Sequence, residues 1–115
     1  MMSLLIVDDD ARMRSLIRGI VADLADSITE CVDRAEAQAI YERHHPDWVL
    51  MDLTMPRMNG LAASKITAFD PAAKVVIVTA NESQRLRDAA TSAGAFVSKE
   101  NLLDLRELMQ PGAIF

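Results

Sequence analysis

Leu4-Leu5-Ile6-Val7-Asp8-Asp9-Asp10 is an unbroken apolar run that stops abruptly at three carboxylates. Four consecutive apolar residues without alternation describe a strand buried on both faces, as in parallel sheets covered by helices. Downstream, Met13, Leu16, Ile17, Ile20, Val21 and Leu24 recur at helical spacing, with Arg12, Arg14 and Arg18 off that stripe. Asp10 stands where an N-cap is needed. The chain thus opens with a strand, an acidic turn and a helix.

The same unit recurs along the chain. Ile28 to Val32 reads as a strand, and Ala35 to about His44 as a weaker helix with Ile40 and Tyr41 inward, ended by Pro46. Trp48 to Leu50 is a third apolar strand that delivers Asp52 at its end. Met55-Pro56-Arg57-Met58-Asn59-Gly60 forms a loop into a helix from about Leu61 to Phe69. Lys74 to Thr79 carries the β-branched run of a fourth strand. Leu86, Ala89, Ala90 and Ala93 mark a further helix, with Gly94 closing it as a C′ residue. Ala95 to Ser98, ending at Lys99, is the fifth strand, and Leu102 to Met109 the last helix. Five β-α units predict a flavodoxin-like, doubly wound α/β fold with a five-stranded parallel sheet, order 2-1-3-4-5, and helices on both faces.

At 115 residues the chain suits one core, expected over residues 1–110, with 111–115 a tail or the start of a linker. The lone Cys31 excludes an internal disulfide and reads as a buried, inert thiol. The opening residues have neither a basic n-region nor the apolar length of a signal peptide. No stretch approaches the roughly 20 apolar residues of a membrane span, so the expected location is the cytoplasm, with no membrane association. A formal charge of −5 argues against direct nucleic-acid binding by this domain.

Asp8, Asp9, Asp52, Thr79 and Lys99 all fall at carboxyl ends of predicted strands, which share one edge of such a sheet. Carboxylates crowded there repel, each pair at about 4 Å costing roughly 4 kcal/mol at an effective dielectric near 20, so a cation belongs among them. An all-oxygen donor set selects a hard ion, Mg2+ foremost. His44 and His45 invite a metal reading too, but histidines suit a helix C-terminus through the dipole and are read as structural.

Together, Asp8-Asp9 after an apolar strand, Asp52-Leu53-Thr54-Met55-Pro56 with Asn59-Gly60, Val78-Thr79-Ala80 and Lys99 resemble the receiver domain of response regulators over nearly the whole chain. The resemblance implies a phospho-acceptor of two-component signalling, with Asp52 phosphorylated from a histidine kinase or a histidine phosphotransfer domain. It implies that Asp9, Asp52 and the Thr54 carbonyl hold Mg2+ directly and Asp8 mainly through water. Thr79, the Ala80 N–H and Lys99 would bind phosphoryl oxygens. Thr79 and Phe96 would form the switch, remodelling a face made by the Gln84 to Ala93 helix, the last strand and the last helix. Such a domain catalyses only its own phosphorylation and dephosphorylation, and the resemblance also allows a homodimer on phosphorylation. Met55, Met58 and the Arg12, Arg14 and Arg18 cluster lie where a kinase should dock.

Glu100 departs from the family's usual proline after the lysine, predicting a trans bond and kinship with receivers linked to helix-turn-helix outputs. Three other readings fare worse. An aspartyl-nucleophile phosphatase needs a second acid where Thr54 stands. A flavin carrier would set its phosphate against Asp8 to Asp10. A phosphorylation-independent interaction module would not need the complete acidic set.

Overall fold

The computed structural model describes residues 2–32, 34–52, 69–79, 94–98 and 102–109. Their elements are β1 (Ser3–Val7), α1 (Ala11–Val21), a 3-10 turn (Ala22–Leu24), β2 (Ser27–Cys31), α2 (Arg34–His44), β3 (Trp48–Asp52), β4 (Val75–Thr79), β5 (Gly94–Ser98) and a C-terminal helix (Asp104–Leu108). Every strand pairing is parallel, and the order is β2-β1-β3-β4-β5. From β1 the chain crosses to β2 on one side, and then returns to place β3 on the other. The direction of winding therefore reverses between β1 and β3, the position at which sheets of this kind leave a crevice at their carboxyl edge.

The apolar runs explain the layering. Along β1, Leu4 and Ile6 face one core with Ile17 and Val21 of α1 and Leu105 of the C-terminal helix, while Leu5 and Val7 face a second with Ala37 and Tyr41 of α2. Val49, Met51, Val75 and Ile77 continue the second core, and Trp48, Leu50, Val76 and Val78 the first. Each buried side chain of this size contributes about 1.5–3 kcal/mol, so a polar residue inside these strands would be costly. Polar groups are consequently pushed to the strand ends.

Several boundaries differ from the sequence reading. β2 runs Ser27–Cys31 rather than Ile28 to Val32, and Val32 is exposed just beyond it. Its register with β1 extends from Ser3↔Ser27 to Val7↔Cys31, so pairing, not hydrophobicity, sets its limits. Leu16 is half exposed although it lies on the apolar stripe of α1, because the helix buries the line through Ile17 and Val21. Leu24 falls in the 3-10 turn. β5 begins at Gly94, paired with Val75, one residue before the expected Ala95. The C-terminal helix is shorter than expected, with Leu102 and Leu103 in a turn before it and Met109 in a turn after it. The helix expected from about Leu61 to Phe69 is described only at Phe69, which is helical, and the helix expected at 84–93 and the tail 111–115 lie outside the described residues.

α2 ends through His45, which adopts the left-handed conformation (φ 46°) and donates its backbone N–H to the Tyr41 carbonyl at 2.8 Å. The His45 ring packs against Tyr41 and Phe69, with centroids 5.7 Å away in each case. His45 is thus a helix terminator with an aromatic contact, in line with the structural reading of this histidine. Nearby, the Tyr41 hydroxyl donates to Asp70 at 2.7 Å. Burial, together with that carboxylate, pushes the phenol well above its ordinary range, while the hydrogen bond from Tyr41 holds Asp70 below the usual carboxylate range. On the other face Arg106 reaches from the C-terminal helix to the Ile20 carbonyl and, with two nitrogens, to Asp23. That hydrogen bond lowers the Asp23 pKa.

Candidate functional site at the carboxyl edge of the sheet

The strand register brings the expected residues toward one edge. Val7 pairs with Met51, Met51 with Ile77 and Ile77 with Phe96. One step further along, Asp8 leaves β1 beside Asp52, the last residue of β3, which pairs with Val78. Thr79 ends β4 opposite Ser98, the last residue of β5. The backbone alone therefore sets Asp8, Asp52 and Thr79 on successive neighbouring strands at the edge where the winding reverses. Phe96 occupies the middle of β5. The expected contributors Thr54, Ala80 and Lys99, with Met55, Met58 and Glu100, lie outside the described residues.

The acidic turn after β1 is built closely. Asp8 is almost fully buried, at 2% exposure. Its N–H donates to the Cys31 carbonyl at 3.0 Å, which extends the β1–β2 ladder by one residue. Its Oδ1 accepts the Asp10 N–H at 2.8 Å, folding the turn back on the carboxylate. Asp10 then caps α1: its backbone is extended and its side chain accepts the Arg12 N–H at 2.9 Å. Asp9, held between these two anchored neighbours, is exposed. Of the three adjacent carboxylates, Asp8 and Asp10 thus bind backbone N–H groups of the turn and the helix start, and Asp9 is left exposed.

Two residues that the sequence reading did not connect complete the turn. Arg14 donates through Nη1 to the Asp8 carbonyl at 2.7 Å and through Nε to Glu30 of β2 at 3.0 Å. Arg18, one turn later, reaches the other Glu30 oxygen at 2.6 Å. Of the three arginines assigned to docking, Arg14 is 15% exposed and is committed to the turn, whereas Arg12 is exposed. The signal in the sequence was slight. A lone acid at the end of β2, next to a strand known to precede the arginine-bearing helix, hints at the pair only once β2 is placed beside β1.

Comparison with known proteins agrees with this geometry. The model of the response regulator receiver domain matches residues 4–110. Protein CcdB of Bacillus subtilis (strain 168) is 41% identical over 97 residues, spanning 83% of this chain and 81% of that protein. The chemotaxis protein CheY of Listeria monocytogenes is likewise 41% identical over 97 residues, covering 83% of this chain and 82% of its own. Among solved structures, the response regulator protein TrrA of Thermotoga maritima, in complex with Mg(2+)-BeF, superposes with a TM-score of 0.82 at 26% identity, over 93% of this chain and 95% of that one. A match across nearly the whole sequence, joined to a sheet that places the acidic turn beside Asp52, leads to one conclusion: the chain belongs to the response regulator receiver domain family.

Proposed function

We propose that Asp52 accepts a phosphoryl group from the phosphohistidine of a histidine kinase or a histidine phosphotransfer domain, and that the acyl phosphate switches an output surface. As a receiver domain of two-component signalling, the chain is a signalling module rather than a turnover enzyme. The observation that carries the finer reading is the position of Asp52 at the end of β3, beside the buried Asp8 on β1. The carboxyl edge at a reversal of winding is where ligands reach sheets of this kind, while the strands behind it are apolar and buried.

The donor set fits Mg2+. Asp8 is anchored by its own turn, Asp9 is exposed beside it, and all the expected donors are oxygens, the chemistry of a hard cation. Asp9, Asp52 and the Thr54 carbonyl would hold the ion directly and Asp8 through water. Bound there, Mg2+ supplies positive charge against the carboxylates and the phosphoryl oxygens. In the transfer itself Asp52 attacks phosphorus as the P–N bond to the donor imidazole breaks. Thr79, the Ala80 N–H and Lys99 would stabilise charge on the phosphoryl oxygens by donating hydrogen bonds and, for Lys99, positive charge. Thr79 and Phe96 then carry the change toward the face of β5 and the C-terminal helix, where a second phosphorylated copy can pair with the first. The receiver is assigned to residues 1–110, and the Glu100 that follows Lys99 favours kinship with regulators bearing helix-turn-helix outputs.

Intact mass after incubation with Mg2+ and a small phosphodonor tests the assignment. Wild-type protein is expected to gain one phosphoryl mass and Asp52→Asn none. A gain by Asp52→Asn at the wild-type level would place the acceptor elsewhere.

A further inference from the structure

We propose that Arg14 is a positioning residue for the metal site, its guanidinium clamping the main chain of the acidic turn to Glu30 on the neighbouring strand. This rests on the reading of the edge as an Mg2+-assisted phospho-acceptor site.

The geometry separates Arg14 from a surface ion pair. One planar group makes two bonds in different directions, to the Asp8 carbonyl at 2.7 Å and to Glu30 at 3.0 Å, and its side chain is 15% exposed. The Asp8 carbonyl belongs to the peptide that joins Asp8 to Asp9. Fixing it fixes the direction in which the chain presents the exposed Asp9 and the buried Asp8 carboxylate. Mg2+ demands near-ideal octahedral geometry and tolerates misplaced ligands poorly, so the orientation of that peptide matters more to the ion than to the fold. Supporting partners of this kind typically change metal affinity about 10–100-fold when removed.

The rest of the network holds without Arg14. Glu30 keeps its bond to Arg18, Asp8 keeps its N–H bond to Cys31 and its carboxylate bond to Asp10, and α1 keeps its Asp10 cap. Loss of Arg14 should therefore loosen the turn while leaving the strand and helix in place. Lysine is no substitute, because one ammonium on a flexible stem cannot reproduce the rigid two-way fork of a guanidinium.

The test measures the Mg2+ dissociation constant from the amide NMR signals of residues 8–10, with thermal stability of the metal-free protein recorded in parallel. Arg14→Met and Arg14→Lys are both expected to weaken Mg2+ about tenfold, with metal-free melting close to wild type. Phosphorylation of Asp52 should need correspondingly more Mg2+ for half its maximal rate, yet approach the wild-type rate at saturation. Unchanged Mg2+ affinity in both variants would overturn the proposal. So would full rescue by Arg14→Lys, which would show that charge alone matters, or tighter binding by Arg14→Met, which would make the guanidinium merely a repelling charge. Should Arg14→Met fail to fold, Glu30→Ala, which leaves Arg14 one anchor, must weaken Mg2+ or the proposal falls. Wild-type protein that neither bound Mg2+ nor took up phosphoryl would instead refute the underlying site, and the role of Arg14 with it.

Discussion

Asp8 and Asp9 are adjacent in the chain and opposite in environment: the first is 2% exposed with its carboxylate turned onto the Asp10 N–H, the second is exposed. Substitution should separate a carboxylate that also holds the turn from one whose proposed task is binding alone. Asp9→Ala is expected to weaken Mg2+ sharply while leaving metal-free stability unchanged or slightly raised, because one repelling charge is gone. Asp8→Ala should destabilise even the metal-free protein, by about 1–3 kcal/mol, since the Asp10 N–H loses its acceptor and a buried space opens. Urea unfolding with and without Mg2+ measures both. A less stable metal-free Asp9→Ala protein with unchanged Mg2+ affinity would make Asp9 structural.

Trp48 and Asp52 are the first and last residues of β3, so at about 3.3 Å per residue their Cα atoms stand roughly 13 Å apart. The indole is buried, with Lys74 Nζ 5.1 Å from its ring centroid. Its fluorescence should report unfolding well and phosphorylation poorly. Amide NMR signals are expected to move most from Thr79 to Ala93 and from Phe96 to Leu103, where the proposed phosphoryl contacts would add charged hydrogen bonds. Largest shifts at Pro46 and Trp48, with Thr79 and Phe96 silent, would contradict this view of the switch.

Tyr41 and Asp70 give a pH-dependent contribution with a definite sign. The Tyr41 hydrogen bond holds the Asp70 pKa below its unfolded value, so its stabilisation is complete above the ordinary carboxylate pKa and fades as pH falls through the lowered one. Removing the buried Tyr41 hydroxyl in Tyr41→Phe should cost about 1 kcal/mol at pH 7, with the gap to wild type narrowing below about pH 4. Denaturation at pH 7 and pH 3 checks the magnitude and the sign. A gap that widened in acid would reverse the assignment.

Arg106 meets both the exposed Asp23 and the Ile20 carbonyl, and the two contacts should weigh differently. Asp23→Asn is expected to lower the melting midpoint little, since exposed pairs are weak and screened by salt. Arg106→Ala should lower it more, because the end of α1 also loses a donor and the C-terminal helix a packed stem. Equal effects from the two variants would assign the whole interaction to the ion pair.

The parallel sheet was legible because buried strands exclude polar residues: Leu4 to Val7 and Val75 to Val78 have no other stable setting. The same exclusion put Asp8, Asp52 and Thr79 at strand ends, where the structure has their backbones. Positions fixed by pairing or tertiary contact were not legible. Ser27 enters β2 because Ser3 is its partner in register, and Leu16 repeats at helical spacing without reaching the core. The Arg14–Glu30 link joins residues sixteen positions apart whose meeting depends on β2 lying beside β1. No periodicity carries that information.

Glu30 has one more consequence. β2 is an outer strand, and its sequence Ser27-Ile28-Thr29-Glu30-Cys31 leaves Ser27, Thr29 and Glu30 exposed. An outer strand offers its free backbone groups to any other extended chain, a route to aggregation that charged side chains obstruct. With Arg14 and Arg18 drawn onto Glu30, this margin carries a small cluster of opposite charges in place of a flat apolar ribbon. A second chain zipping along it would have to desolvate that cluster, a barrier to pairing at the margin of a sheet whose other strands are mostly apolar.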